Sequence, residues 1–276
     1  MINIRRAIAW AFFGQYFTIA INFVATMLLA RLLTPAEFGV SALGGAILGL
    51  AEAIRELAGG TFLISERDLT HGKIRSTTTI NFMVMFVVVA ILVALAEPLS
   101  RFFEMPALAH YLFIAVFGYM LGTLLYPQQA LMSREMMFDR LAIVSLAQTS
   151  VGAAVAITLA LAGFQANSFA WAGVASAVSG TLMCSAIRGD LSIFRPSFSH
   201  WRSVVGFGAY SSTTAILGRL AETVPLLIFG RLLSASELAI GHRAVLLCMF
   251  PERLIMAVVG MVALPELSRR MRELAA

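Results

Sequence analysis

The sequence has few charged residues for its length. Asp, Glu, Lys and Arg make up 13% of the 276 residues, whereas a typical soluble domain has about 25%. Hydrophobic residues make up 59%, and they occur in long runs. The first run, residues 8–30, has 23 residues without a charge, and a helix of that length crosses the ~30 Å hydrocarbon core of a bilayer. This composition excludes an ordinary soluble domain and predicts an all-α polytopic membrane protein.

The sequence also lacks the residue patterns of metal sites and of common catalytic sites. Its two cysteines, Cys184 and Cys248, lie in apolar stretches without a CxxC motif, which favours buried free thiols. The four histidines are scattered and no HExxH motif occurs. There is no GxxxxGK[ST] phosphate loop, no GxSxG elbow and no Asp-x-Asp pair. We therefore expect no metal, no cofactor and no enzymatic activity.

Basic residues are not gathered in one patch. The net charge is +5, but the arginines are dispersed between apolar runs, which argues against nucleic acid as a partner. With a cytoplasmic N-terminus, 13 basic residues fall in cytoplasmic segments and three on the opposite side, so the positive-inside rule predicts that both termini are cytoplasmic. The eight predicted spans are residues 8–30, 38–58, 77–96, 109–126, 141–162, 168–187, 204–230 and 238–262.

One stretch of the sequence recurs after 200 residues. LLARLLTPAEFGV, residues 28–40, returns as IFGRLLSASELAI, residues 228–240, with no gap. A period of this size indicates two related halves rather than a solenoid. Six spans separate the copies, so the repeat is parallel, and we expect a substrate site where the halves meet near mid-membrane. The predicted domains are a six-helix lobe over residues 1–200 and the first two helices of a second lobe over residues 201–276.

Polar residues mark one face of the first span. Gln15, Thr18, Asn22 and Thr26 recur at intervals of three and four residues, which places them on the same side of a helix. That face either lines a cavity or hydrogen-bonds to a neighbouring helix.

Other patterns predict how the helices pack. Small residues recur every four positions in the fifth and sixth spans, which predicts tight helix contacts: Gly152, Ala156 and Ala160, then Ala172, Ser176 and Gly180. Gly44 and Gly45 in the second span also favour close packing. The segment 127–140, PQQALMSREMMFDR, mixes charges with Met and Phe, which predicts an amphipathic segment on the cytoplasmic surface.

Ionisable residues inside the seventh span are the strongest candidates for a site. A charge at mid-bilayer costs about 2.5–3.5 kcal/mol on insertion scales, so its presence requires a reason. Arg219 is placed near mid-membrane, and Glu222 follows three residues later on the same face. The two form either a structural ion pair or a binding group for an anionic headgroup, beside a carboxylate that changes its protonation state.

The second and third spans contain further candidates. Glu52, Arg55 and Glu56 share one face of the second span but lie toward its cytoplasmic end. Snorkelling of these side chains to the membrane interface is therefore an alternative interpretation. Asn81 in the third span is a cavity-lining candidate.

Several stretches together resemble a known family. They are RLLTPAEFG at residues 31–39, the LxxPQQALMSREMMFDRL pattern at 124–141, the ALAGF turn that ends the fifth span, and FPERLIMAVVGMVALPELSRR from residue 250. The chain resembles, along its whole length, the polysaccharide exporter or Wzx-type oligosaccharide flippase family. That family belongs to the superfamily that also contains the multidrug and toxin extruders.

The resemblance implies transport of lipid-linked oligosaccharides or exopolysaccharide intermediates across the bacterial inner membrane by alternating access. Similar proteins have 12 to 14 spans in two lobes around a cationic cavity. Arg219 and Arg55 would then receive the anionic headgroup, while Glu222 would couple transport to a proton or sodium ion. Further cavity-lining candidates are Glu52, Glu56, Asn22, Gln15 and Asn81. The implied partners are membrane lipid, the lipid-linked glycan and the polysaccharide synthesis machinery.

Two alternative functions are compatible with the same architecture. One is a cation-coupled antiporter similar to the multidrug extruders. The other is a truncated, non-transporting membrane partner of a polysaccharide synthesis complex, since only eight spans can be drawn.

Overall fold

The protein is a bundle of long helices. The computed structural model describes residues 4–55, 60–66, 68–189, 192–199, 201–246 and 248–249. Regular structure within these ranges is entirely helical. The α-helices are α1 Ile4–Leu32, α2 Pro35–Arg55, α3 Gly60–Ser65, α4 His71–Phe102, α5 Ala107–Arg134, α6 Phe138–Leu161, α7 Asn167–Arg188 and α8 Trp201–Leu232, with a 3-10 helix at Ser192–Phe194.

Six of these helices are long and apolar enough to cross a membrane: residues 14–32 of α1, and the whole of α2, α4, α5, α6 and α7. They coincide with the first six predicted spans, which confirms the all-α polytopic class. The seventh predicted span lies within α8. Residues 235–246 are again helical, where the eighth predicted span begins, and the rest of that span lies outside the described residues.

The largest buried cluster lies between α2, α4, α5 and α7. Its fully buried members include Leu43 of α2 and Leu108 and Leu112 of α5. Leu238, from the second copy of the repeat, joins the same cluster and is 2% exposed. The second copy therefore packs directly on the core of the preceding bundle.

The predicted small-residue contacts hold α6 against α7. A Cβ atom at Gly152 would lie 3.4 Å from Cβ of Ser176 and 3.6 Å from the carbonyl oxygen of Ala172. Ala156, Ala160 and Ala172 are buried in a cluster with Leu29 of α1 and Leu33, which directly follows α1. Small side chains allow the helix backbones to approach closely, which maximises van der Waals contact where lipid supplies no hydrophobic driving force.

The prediction of a surface segment at residues 127–140 is wrong for its first half. Helix α5 continues through Pro127 to Arg134, and Gln128, Leu131 and Met132 are almost completely buried. A proline removes one helical hydrogen bond and often ends a helix. Here Leu125, which precedes Pro127 in the helix, and Met132, which follows it, both pack in a buried cluster with Val144 of α6 and Cys184 of α7. This packing outweighs the local cost of the proline.

The two cysteines differ in their surroundings. Both are free thiols; Cys184 is buried as predicted, but Cys248 is exposed. Burial was wrongly predicted for Cys248 because an apolar stretch of a membrane helix can face lipid as well as protein.

Both copies of the repeat form the same N-terminal helix cap. At the start of α2, the Thr34 N–H donates to the Glu37 carboxylate at 2.8 Å, and the Thr34 hydroxyl accepts from the Glu37 N–H at 3.4 Å. The corresponding distances between Ser234 and Glu237 are 2.9 and 3.3 Å. This reciprocal arrangement is the capping box. Each copy is therefore a long helix, a break of two residues and a capped second helix.

Arg134 holds the short helix α3 in place. Its Nη1 donates to the carbonyl oxygens of Leu63 at 3.1 Å, Ile64 at 3.2 Å and Glu66 at 2.5 Å. These carbonyls lie at the C-terminal end of α3, where helices leave acceptors unsatisfied and where the helix dipole favours a cation.

We expect Arg134→Ala to lower the free energy of unfolding by about 2 kcal/mol, because it leaves the partly buried carbonyls of Leu63 and Glu66 without their charged donor. Thermal unfolding of the detergent-solubilised protein measures this loss. Arg101→Ala is the matched control, since the Arg101 side chain is 83% exposed and lies 3.9 Å from Glu97; such pairs contribute less than about 1 kcal/mol. Equal destabilisation by both variants would contradict the capping role of Arg134.

Candidate functional site

A cavity of about 630 Å³ lies between α2, α8 and residues 235–249. We call it the α8 cavity. Arg219 and Glu222 line it, and Arg219 Nη1 donates to Glu222 Oε2 at 2.9 Å. Their side chains are 45% and 65% exposed, so neither is enclosed by protein. The predicted pair therefore forms, and it remains accessible to a ligand in the cavity.

The face of α2 opposite Arg219 is built from small residues. A Cβ atom at Gly49 would lie 3.4 Å from Arg219 Nε, whereas a Cβ atom at Gly45 would have no neighbour within 4 Å. Gly45 lines the cavity and is not a packing contact, which corrects the prediction. Gly44 does pack closely, since a Cβ atom there would lie 2.3 Å from the Tyr111 ring. Gly44 and Gly45 thus point in different directions from α2, Gly44 toward the core and Gly45 toward the cavity.

A second cavity of about 300 Å³ lies inside the bundle of α2, α5, α6 and α7. We call it the bundle cavity. Arg55 lines it, donates a hydrogen bond to Glu52, and places its guanidinium 4.2 Å from the centre of the Tyr126 ring. The Arg55 side chain is 13% exposed. Arg55 therefore packs against α5 inside the bundle.

Residues on one side of α2 line both cavities. Gly45 and Gly49 line the α8 cavity, and Glu52 and Arg55 line the bundle cavity, at intervals of three and four residues. Arg55 lies six residues beyond Gly49, which is about 9 Å along the helix axis. The two arginines predicted from separate spans therefore line two cavities that share α2 as a wall.

The other predicted site residues lie elsewhere. Gln15 and Asn22 are exposed on the surface of α1, while Thr26 of the same polar face reaches the α8 cavity. Asn81 is 1% exposed in α4, and neither its amide nitrogen nor its oxygen has a hydrogen-bond partner within the described part of the chain. Glu56 lies outside the described residues.

Sequence reasoning missed the polar residues of the bundle cavity on α5 and α6. These are Tyr119, Tyr126, Gln129 and Gln148. No single pattern connects them, because they come from two helices and are far apart in the sequence.

Arg243 lies in the eighth predicted span and was not among the predicted site residues. Its guanidinium lies 4.2 Å from the centre of the Phe38 ring, and its Nε and Nη2 are buried with no hydrogen-bond partner among the residues that the structure describes. A cation–π contact of this kind supplies attraction but does not satisfy N–H donors.

Comparison with known proteins identifies the family. The family model described as Polysaccharide biosynthesis protein matches residues 28–275. The chain is 27% identical over 169 residues to Succinoglycan biosynthesis transport protein ExoT of Rhizobium meliloti (strain 1021), covering 59% of this chain and 33% of that protein. It is 23% identical over 238 residues to Lipopolysaccharide biosynthesis protein WzxC of Escherichia coli (strain K12), covering 82% of this chain and 46% of that protein.

The match therefore spans less than half the length of these curated relatives. No solved structure matches the chain. The family match covers most of the sequence and agrees with the resemblance found in the motifs. The chain is a multi-pass, all-α membrane protein that belongs to the polysaccharide biosynthesis protein family.

Proposed function

We propose that this protein translocates lipid-linked oligosaccharide or exopolysaccharide intermediates across the bacterial inner membrane by alternating access. The observation that carries the proposal is that Arg219 and Arg55 each line a cavity of a membrane bundle, and that α2 forms a wall of both cavities. Charged side chains within membrane spans are costly and characteristically serve substrate or ion pathways. The transport and polysaccharide functions in the names of the relatives support the same conclusion.

Arg219 and Arg55 are suited to an anionic headgroup such as a lipid pyrophosphate. A guanidinium presents several N–H donors in a planar fork and binds phosphate oxygens through charge-assisted hydrogen bonds. Each arginine already has one carboxylate partner, Glu222 or Glu52. An incoming phosphate competes with that carboxylate, so substrate binding and release of the carboxylate are linked.

Glu222 is our candidate for coupling to a proton or sodium ion. Once phosphate displaces it from Arg219, its carboxylate loses the positive neighbour that favours the charged form. Proton or sodium binding then neutralises it. Glu52, Glu56, Gln15, Asn22 and Asn81 remain candidates for lining the pathway in other states of the cycle.

The two related halves would provide the moving parts. In this proposal residues 1–200 form the first lobe, residues 201–276 begin the second, and both termini are cytoplasmic. The α8 cavity lies between helices assigned to the two lobes, where transporters built from repeats commonly bind their substrates. The lipid-linked glycan would arrive from the polysaccharide synthesis machinery on the cytoplasmic side.

The test is transport by the complete native gene product in proteoliposomes. A fluorescent short-chain prenyl pyrophosphate that carries an oligosaccharide is added, and its movement between leaflets is followed under an imposed proton or sodium gradient. We expect movement that one gradient accelerates, and we expect Glu222→Gln to abolish that acceleration. Absence of movement by folded protein under either gradient would reject the function, and unchanged acceleration of Glu222→Gln would reject the coupling role.

A further inference from the structure

The bundle cavity contains uncharged polar groups that headgroup binding does not explain. Besides Arg55 and Glu52, its walls carry Tyr119 and Tyr126 of α5 and the amides of Gln129 and Gln148. Its volume of about 300 Å³ is at the lower end of the range for small-molecule sites. The cavity therefore has the size for one small polar group.

Small residues of α5 and α7 make room for this group. Gly122 and Gly173 both line the cavity. A Cβ atom at Gly173 would have no neighbour within 4 Å, and one at Gly122 would meet only Arg55 Nη1, at 3.9 Å. The space is bounded by four helices, each of which contributes polar or small side chains. A void lined by hydrogen-bonding groups is costly inside a membrane bundle unless water or a ligand fills it.

The two glutamines offer a fixed set of donors and acceptors. Gln129 Nε2 donates to Gln148 Oε1 at 3.2 Å. This bond orients the two amides, and the Gln148 amide also packs against Gly180 of α7, where a Cβ atom would lie 2.6 Å from Nε2. The Gln129 oxygen and the Gln148 NH₂ group are the hydrogen-bonding groups that we assign to a ligand. A sugar hydroxyl both donates and accepts hydrogen bonds, so it matches an acceptor and a donor placed side by side. The tyrosine rings add flat apolar surface with a polar tip, which suits the C–H face of a sugar ring.

The two glutamines and the two tyrosines line the same cavity as Arg55, the proposed ligand of the phosphate. In a lipid-linked glycan the first sugar is bonded directly to phosphate, so its ring lies within one bond of the anionic group. If Arg55 holds the phosphate, as in the proposed function, the adjoining glutamine pair lies within reach of that sugar. We propose that the bundle cavity is the subsite for the phosphate-linked sugar, and that Gln129 and Gln148 recognise its hydroxyl groups. This inference rests on the proposed function.

The experiment compares two ligands on the full chain in lipid nanodiscs. One is a short-chain prenyl pyrophosphate, and the other is the same lipid with a single hexose or N-acetylhexosamine attached. The ratio of their dissociation constants isolates the contribution of the sugar. In the unmodified protein we expect at least one sugar of the panel to tighten binding about three- to tenfold, the effect of one or two neutral hydrogen bonds.

Gln148→Leu and Gln129→Leu should each reduce this ratio to within about twofold of unity, with little change in affinity for the sugar-free lipid. Thr158→Val is the matched control in α6, because the Thr158 hydroxyl donates to carbonyls of its own helix, those of Ala154 and Val155. The ratio for this variant should not change. Arg219→Ala should weaken both lipids equally and preserve the ratio. Gln129→Leu, on a different helix, keeps the test valid if Gln148→Leu does not fold.

A ratio near unity for every sugar in the unmodified protein would overturn the subsite, as would a normal ratio in both glutamine variants. Failure of both lipids to bind would instead overturn the proposed function, and the subsite with it.

Discussion

Replacing Arg219 by alanine is expected to reduce glycan export at least tenfold, while the protein remains folded in the membrane. A charge-assisted hydrogen bond contributes about 1.5–3 kcal/mol, and about 1.4 kcal/mol corresponds to a factor of ten. Folding should tolerate the change, because the Arg219 side chain is 45% exposed in the α8 cavity and its bond to Glu222 lies within one helix. Export is measured as surface glycan per cell, normalised to the amount of protein in the membrane.

Arg231→Ala is the matched control for this prediction. Arg231 lies on the same helix, is 46% exposed and also has one acidic partner, Glu104 at 3.1 Å. An exposed pair of this kind contributes less than about 1 kcal/mol, so we expect export to stay within about fivefold of the unmodified protein. Glycan export by the Arg219→Lys variant should fall between the levels of Arg219→Ala and Arg231→Ala, since lysine keeps the charge but not the planar fork of donors. If Arg219→Ala exports as well as Arg231→Ala, Arg219 does not bind the headgroup.

Replacing Gly39 by alanine is expected to destabilise the protein by at least about 3 kcal/mol and to abolish transport. The added Cβ atom would lie 2.0 Å from the carbonyl oxygen of Ala235 and 2.8 Å from its carbonyl carbon. These are backbone atoms, so no side-chain rotation relieves the overlap. Helix α2 and the second capped helix must therefore separate, at the point where the two copies of the repeat touch. Thermal unfolding and export together measure the effect.

The same helix provides the control for Gly39→Ala. Gly45 lies six residues further along α2, and a Cβ atom there would have no neighbour within 4 Å. Gly45→Ala should be neutral or stabilising by up to about 1 kcal/mol, because alanine has the higher helix propensity. If the two variants unfold at the same temperature, the Gly39 contact with Ala235 does not hold the two copies together.

The sequence alone determined the class of the protein and the positions of its helices. Runs of about 20 apolar residues are long enough to span the bilayer, and their length does not depend on tertiary contacts. The first six spans were predicted for this reason, and the α6–α7 contact followed from small residues every four positions. The gapless repeat was also visible in the sequence, because the capping residues at 34 and 37 recur at 234 and 237. The division into two lobes stays a prediction.

Only the tertiary structure decided which side chains share a cavity. Helix α5 is apolar on nearly all sides, so its sequence does not show which face is polar. Tyr119, Gln129 and Gln148 meet only because α5, α6 and α7 pack around Arg55. Likewise, the fourth span was predicted to end at residue 126 with a surface segment after it, but α5 continues to Arg134, where Leu125 and Met132 pack in a buried cluster. Helix length follows from local hydrophobicity, whereas the walls of a cavity come from residues far apart in the chain, which only packing brings together.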